Sequence, residues 1–313
     1  MKLLLIIIFS VIALFILLTI IIGLIGYKLI YQRNKKPYDL LTNDAGPFSF
    51  PIEAKKKCLE FRNMPHKEIY ITNKRGIKLY GELRKAEHEF NDVPTVILFA
   101  HGHKSAGNND IAIFYNFQLK NYDLLTIDHE GGGKSGGKHS GFGIYEQEDI
   151  RLWVEELNKI YHHKVNIFLH GVSMGCNSVL LTSDKPMENV KGIIADCGFT
   201  STYRIVRHMV KLHTLAFMVC LFNSIVIKRN IFKYSTLKVL KRSLYPILFI
   251  HGKADNYVPT YMSVMNDKVC ASKHKLVLVD NANHAMSYIT NPTLYENEFN
   301  SFIKNTLESS GTL

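Results

Sequence analysis

The sequence predicts an α/β protein: a mostly parallel, doubly wound sheet with an antiparallel hairpin at its start and an apolar helix ahead of it. Three observations carry that expectation. Short, almost wholly apolar runs recur from Thr95 to Val279, separated by stretches with helical spacing. Strands buried on both faces of a parallel sheet read this way. Two β-rich runs with a turn signal between them precede the series. At the N-terminus, Leu3 to Ile25 carry no charge, with only Ser10 and Thr19 as polar interruptions.

The apolar segment comes first in the chain. At 1.5 Å rise per residue, about 20 such residues cross a bilayer core. A cleaved signal peptide would have a shorter apolar region and a small-residue cleavage site. Here the run continues into GYKLIYQRNKK, which holds no such site. Residues 1–30 are therefore expected to be an uncleaved single-pass anchor in the cell membrane, meeting the lipid bilayer through residues 3–25. Lys2 flanks one side and Lys28, Arg33, Lys35 and Lys36 the other. The positive-inside rule then favours a cytoplasmic main domain, while exported C-terminal parts behind signal anchors keep the other side open.

Residues 31–67 are mixed and charged and read as a stalk or linker with one short helix. Glu68–Thr72 and Ile77–Leu83 follow, joined by Asn73-Lys74-Arg75-Gly76, and read as a hairpin. Thr95–Ala100 is a continuous apolar strand, with a helix expected over Asp110–Lys120. Asp123–Ile127 is the next strand. Tyr145–Tyr161 has helical spacing, with Ile150, Val154 and Leu157 on one face. Val165–Leu169, Gly192–Ala195, Pro246–Ile250 and Leu276–Val279 complete the strands, and Thr293–Leu307 is a closing helix. Between two strands, Thr200–Arg242 is rich in large apolar residues. It reads either as buried helices or as a cap over a site, since so long an excursion in a compact domain is usually a functional lid.

The chain has 313 residues and a net charge of +11. Its Lys and Arg are scattered, and no zinc-finger or RNP pattern occurs, so no nucleic-acid partner is expected. Basic residues beside anionic lipid are the simpler account. Cys58, Cys176, Cys197, Cys220 and Cys270 form no C-x-x-C pair and read as small buried apolar residues. The histidines show no H-E-x-x-H spacing, and no metal or organic cofactor is expected.

Two stretches match G-x-S-x-G. In Gly131–Gly141, GGGKSGGKHSG, Ser135 follows its strand too late for a tight turn and no helix begins at Lys134. A P-loop reading also fails, because Asp128 stands where the first glycine should be and would repel phosphate. That stretch reads as a floppy loop. In the second, a strand runs directly into Gly171-Val-Ser173-Met-Gly175 and a helix follows. A strained strand-to-helix turn exposes its serine this way, and Gly171 and Gly175 leave room for the crowded backbone. Asp255 lies just past a strand's C-terminal end, in HGKADNYVP, and His284 lies in the loop after the last strand, in NANHAMSY. Singly, Asp255 could cap a turn and His284 could be a surface histidine. The order Ser173, Asp255, His284 is nucleophile, acid, base.

The chain resembles the small membrane-anchored bacterial α/β-hydrolases of the cinnamoyl-esterase-like and serine-aminopeptidase-like groups. The resemblance runs from about Glu68 to the C-terminus, on AHGH at Ala100–His103, DHEGGGKSGG at Asp128–Gly137, GVSMG, IADCGF at Ile194–Phe199, HGKADNYVP and NANHAMSY. It implies an eight-stranded, mostly parallel α/β-hydrolase sheet flanked by helices, with strand 2 antiparallel. The hydrolase domain would span 68–313, with a helical cap at about 200–243. His284 would activate Ser173, with Asp255 orienting His284. Backbone N–H groups would stabilise the oxyanion: Met174 as the residue after the nucleophile and, by resemblance, His103. Losing one such donor typically costs about 3 kcal/mol of transition-state stabilisation. His101 and His170, each before a glycine, read as structural hydrogen-bonders. The family's loop after strand 4 usually carries Asp-x-Arg-Gly-x-Gly-x-Ser; this chain has Glu130 at the arginine position, which puts any ion pair made there in doubt.

These residues point to a serine hydrolase of carboxylic esters, on small-molecule or lipid-like substrates. A peptidase, an acyltransferase on the same triad, or a non-catalytic scaffold on the same fold are the alternatives.

Overall fold

The computed structural model describes residues 1–33, 52–88 and 92–311. Helix α1, Lys2–Gly26, continues as one wider helical turn over Tyr27–Tyr31. Among the described residues it is the one unbroken helix long and apolar enough to cross a membrane. Helix α2, Ile52–Asn63, comes next. It lies in the segment expected to be a stalk, and its Cys58 and Phe61 are fully buried. The Phe61 ring packs under the Arg84 guanidinium at 3.8 Å and beside Tyr115. This helix is therefore packed on the sheet domain rather than standing off it.

The sheet has eight strands in the order β1-β2-β4-β3-β5-β6-β7-β8. They are β1 Lys67–Thr72, β2 Lys78–Arg84, β3 Thr95–Ala100, β4 Asp123–Asp128, β5 Asn166–Val172, β6 Val190–Asp196, β7 Ile247–Gly252 and β8 His274–Val279. β2 is antiparallel to both its neighbours, and every pairing from β3 onward is parallel. The central strands are buried along their whole length, as their unbroken apolar runs require.

The helix expected over Asp110–Lys120 is three short pieces: α3 Gly107–Asp110, a 3-10 turn at Ile111–Ile113, and α4 Tyr115–Gln118. Ile111 through Tyr115 are all buried, so no polar face enforces a single helical period. Helices α5 Glu146–Ile160 and α6 Met174–Leu180 cover one sheet face, with Trp153 at its centre. The other face is covered by α4, α11 Ser287–Thr290 and α12 Pro292–Ser309, through Phe117, Tyr295 and Phe299. Helix α10, Tyr261–Val269, lies between β7 and β8.

The excursion after β6 folds as α7 Thr202–Val210, α8 His213–Val226, a 3-10 turn, and α9 Thr236–Leu240. Ile205, Val206, Ala216, Val219 and Ile231 join Phe142, Met174 and Phe199 in a third apolar cluster. Ile30 and Tyr31 belong to the same cluster. The end of α1 packs on α8: Cβ atoms at Gly23 and Gly26 would strike Phe222 and Val219. Small residues at these two positions let the helices approach closely.

Candidate active site

Ser173 occupies the turn between β5 and α6 at φ 55°, ψ −113°, a strained backbone for a residue with a side chain. Close packing around it excludes side chains at the flanking glycines. A Cβ on Gly171 would meet the Gly175 carbonyl, and one on Gly175 the Ala100 carbonyl. Asp255 follows β7 and His284 follows β8. The three strand ends bring together residues far apart in sequence: His284 Nε2 lies 2.9 Å from Ser173 Oγ, and His284 Nδ1 lies 2.7 Å from Asp255 Oδ2. With Nδ1–H donated to the carboxylate, Nε2 is left as the acceptor facing the serine hydroxyl. All three side chains are buried, and the Tyr257 ring lies 5.0 Å from the His284 ring.

Asp255 is held more firmly than its sequence context discloses. Its Oδ1 accepts the Tyr257 and Val258 N–H groups at 2.9 and 2.8 Å. Its Oδ2 also faces His251 Nε2 at 3.0 Å. His251 Nδ1 sits 2.6 Å from Ser263 Oγ, so Nε2–H is the donor, shared with the Val258 carbonyl. Burial opposes the Asp255 charge, but donation from His251 and His284 outweighs it and holds the carboxyl well below the usual range. His251 was not singled out in the sequence; its i, i+4 spacing to Asp255 just past a strand end was the available signal.

Met174 is the first residue of α6, so its N–H has no acceptor within the helix. His103 lies in the loop after β3. That loop is fixed by Asp110, whose carboxylate accepts Gly102 N–H at 2.7 Å and the Ser105 hydroxyl at 2.5 Å. The His103 side chain donates from Nε2 to the Ile30 carbonyl at 2.6 Å. Burial drives its pKa down to about 4, so the ring is neutral near pH 7. Lys104 Nζ donates to the Leu29 carbonyl at 2.7 Å. The segment leaving α1 is thereby strapped to this loop. His101 Nε2 accepts the His129 N–H, and His170 lies between Gln118 and Tyr295. Neither ring touches Ser173 by any described contact.

Gly131–Gly141 is not floppy. Ser135 Oγ donates to the Asp128 carbonyl and accepts the Tyr80 N–H. Asp128 Oδ2 accepts Lys134 N–H, and the Arg33 guanidinium donates to the carbonyls of Gly133 and Ser135. Glu130, the unusual residue, meets a cation from elsewhere. Arg75, in the β1–β2 turn, pairs with Glu130, Glu148 and Asp149 and lies over the Tyr145 ring. Among the described residues no group of three or more His, Cys, Asp or Glu side chains is arranged to hold a metal ion.

This eight-stranded sheet, with β2 antiparallel and every later pairing parallel, is the α/β-hydrolase fold. The family model that matches it, over residues 91–245, is that of the serine aminopeptidases, S33. The chain is 25% identical over 299 residues to the uncharacterized protein YqkD of Bacillus subtilis, an alignment covering 93% of this chain and 95% of that one. Its fold resembles the esterase Pf2001 of Pyrococcus furiosus, with 22% identity, a TM-score of 0.62, and coverage of 79% of this chain and 94% of that one. It also resembles Est1E of Butyrivibrio proteoclasticus, solved with ferulic acid bound, at 20% identity, a TM-score of 0.63 and coverage of 77% and 99%.

Proposed function

We propose that the protein is a membrane-anchored serine hydrolase of carboxylic esters. Residues 1–30 serve as anchor, 31–67 as connector and 68–313 as hydrolase domain, with the cap near 200–243. The observation that carries this reading is the Ser173–His284–Asp255 relay, at 2.9 and 2.7 Å.

In this mechanism Ser173 Oγ bonds to the ester carbonyl carbon while His284 Nε2 takes its proton. Asp255 stabilises the imidazolium and keeps Nδ1 protonated. The carbonyl oxygen becomes an oxyanion that Met174 and His103 N–H groups stabilise. As the C–O bond to the alcohol breaks, His284 returns the proton to the leaving oxygen, which gives an acyl-enzyme. Water, deprotonated by His284, then attacks the acyl carbon, releases the carboxylic acid and restores Ser173.

Support for an ester rather than a peptide comes from the structural relatives, the esterase Pf2001 and Est1E with its bound ferulic acid. The serine aminopeptidase match favours the second reading, a peptidase on the same relay. A fluorophosphonate probe should label the wild type and not Ser173→Ala; equal labelling of both overturns the nucleophile. Asp255→Asn should lower kcat about 10⁴-fold, the size of effect known for the matching change in a serine protease. Faster release from p-nitroanilides of amino acids than from p-nitrophenyl esters would transfer the conclusion to the peptidase.

A further inference from the structure

Helix α8 is apolar on two faces. One face, Ala216, Val219, Cys220 and Asn223, is buried against α1 and the cluster that contains Met174. Asn223 Nδ2 reaches toward the Gly23 carbonyl, so the α1 contact is polar as well as steric. The other face presents Phe217, Leu221 and Ile225 at i, i+4 and i+8, a single helical stripe. Phe217 is 42% exposed and Ile225 73%, and Leu212, just before the helix, is 51% exposed. An apolar stripe on the open side of a helix already buried on its other face calls for an apolar surround.

The surround is indicated by what lies next to it. The pairing of Gly23 with Phe222 and Gly26 with Val219 sets α8 antiparallel to the end of α1. Its last turn, with Ile225, therefore lies beside the apolar run, whose outward residues Leu24 and Ile25 are themselves exposed. Lys228 stands exposed just after α8, where its stem can lie on apolar surface while its ammonium group reaches headgroups. Arg229 turns back to Glu148, which limits how far the helix can sink.

We propose that the outer stripe of α8 is seated in the bilayer surface beside α1, and that the enzyme takes its ester from that bilayer as a membrane-resident acyl amphiphile. One helix then separates lipid from the apolar cluster that contains Met174, the residue after Ser173. This rests on the ester-hydrolase reading above and adds the source of the substrate.

The full chain in phosphatidylcholine vesicles tests it. All five native cysteines are buried, so an environment-sensitive NBD maleimide attached to Phe217→Cys or Ile225→Cys reports one position. Lys304→Cys, exposed on α12, is the aqueous control. The expected result is that positions 217 and 225 are shielded from iodide and quenched by doxyl-labelled phosphatidylcholine, while 304 shows the reverse. Equal iodide access at all three sites overturns the proposal, and so does shielding without lipid quenching, which would mean that another protein copy covers the stripe. Ile225→Asp, a change at an open position, should slow hydrolysis of a chromogenic decanoyl ester dissolved in the vesicles by about tenfold or more, given the cost of an Asp near hydrocarbon. Hydrolysis of p-nitrophenyl acetate in water should be unchanged, and equal loss on both substrates overturns the proposal. Fluorophosphonate labelling of the same samples separates the two levels. A labelled enzyme with water-exposed probes removes only the bilayer placement, whereas an unlabelled one removes the hydrolase reading beneath it.

Discussion

Asp255 collects four donors, from Tyr257, Val258, His251 and His284, and each has a separate consequence. On the proposed mechanism His284 ties it to the chemistry, while the other three keep a buried carboxylate charged. Removing His251 leaves a buried acceptor short of one partner, a loss of about 1–3 kcal/mol. His251→Ala should therefore lower the denaturant midpoint at pH 7. The Asp255 pKa is depressed in the folded protein, so its stabilisation is complete above the unfolded carboxyl value and is lost as pH falls below it. The gap between wild type and His251→Ala should shrink as pH is lowered through about 4, which urea titrations at several pH values would show. A gap that stays constant with pH would mean that His251 acts by packing alone. Ser173, Asp255 and His284 were legible because each follows its own strand in a fixed order. His251 and Asp110 were not singled out, because their importance lies in what their side chains touch.

Among the elements, the strands were the most legible and the segment after β3 the least. Buried parallel strands need apolar runs, and those runs stand plainly in the sequence. From Ile111 to Tyr115 every residue is buried, and an apolar run without a polar face does not say how often the helix breaks. The hairpin turn holds a second lesson. Its Asn73-Lys74-Arg75-Gly76 tetrad is readable as a turn, yet nothing local says that Arg75 reaches three carboxylates. Glu130 and Asp149 are almost wholly buried there, and breaking a buried pair by removing one partner is costly, typically 3–5 kcal/mol. Arg75→Ala should destabilise by about 3 kcal/mol, measured by urea unfolding in detergent. Arg75→Ala combined with Glu130→Gln should recover part of it, because one of the orphaned charges is gone.

Across the whole molecule, the link between α1 and the loops after β3 and β4 is the feature no sequence window contains. Tyr31 is fully buried, and Leu29, Ile30 and Arg33 bond to partners beyond position 100. Contacts over such separations leave no local periodicity, which is why residues just past the apolar run read as linker. On the proposed mechanism the strap makes His103 a positioning residue through its side chain, while its backbone N–H serves the oxyanion. His103→Ala should lower kcat by about tenfold or more with KM little changed, since about 1.4 kcal/mol of lost transition-state stabilisation is tenfold. His103→Gln, which can still donate to the Ile30 carbonyl, should recover much of the rate. The lowered His103 pKa, about 4, means that the unfolded chain takes up a proton near pH 6.5 before the folded one does. Stability is therefore complete above about 6.5 and declines as pH falls toward 4. Thermal midpoints of His103→Gln should decline less over that window than those of the wild type, and parallel curves would assign the acid sensitivity elsewhere.

Between the close packing at Gly26 and the backbone bonds at Tyr31 and Arg33 the chain has no slack. On the anchored reading, such an enzyme has no reach. It meets substrate by lateral diffusion in a plane, so its rate should follow the mole fraction of ester in the membrane and be indifferent to the volume of water around it. Diluting the ester with inert lipid would inhibit the enzyme; diluting the vesicle suspension with buffer would not.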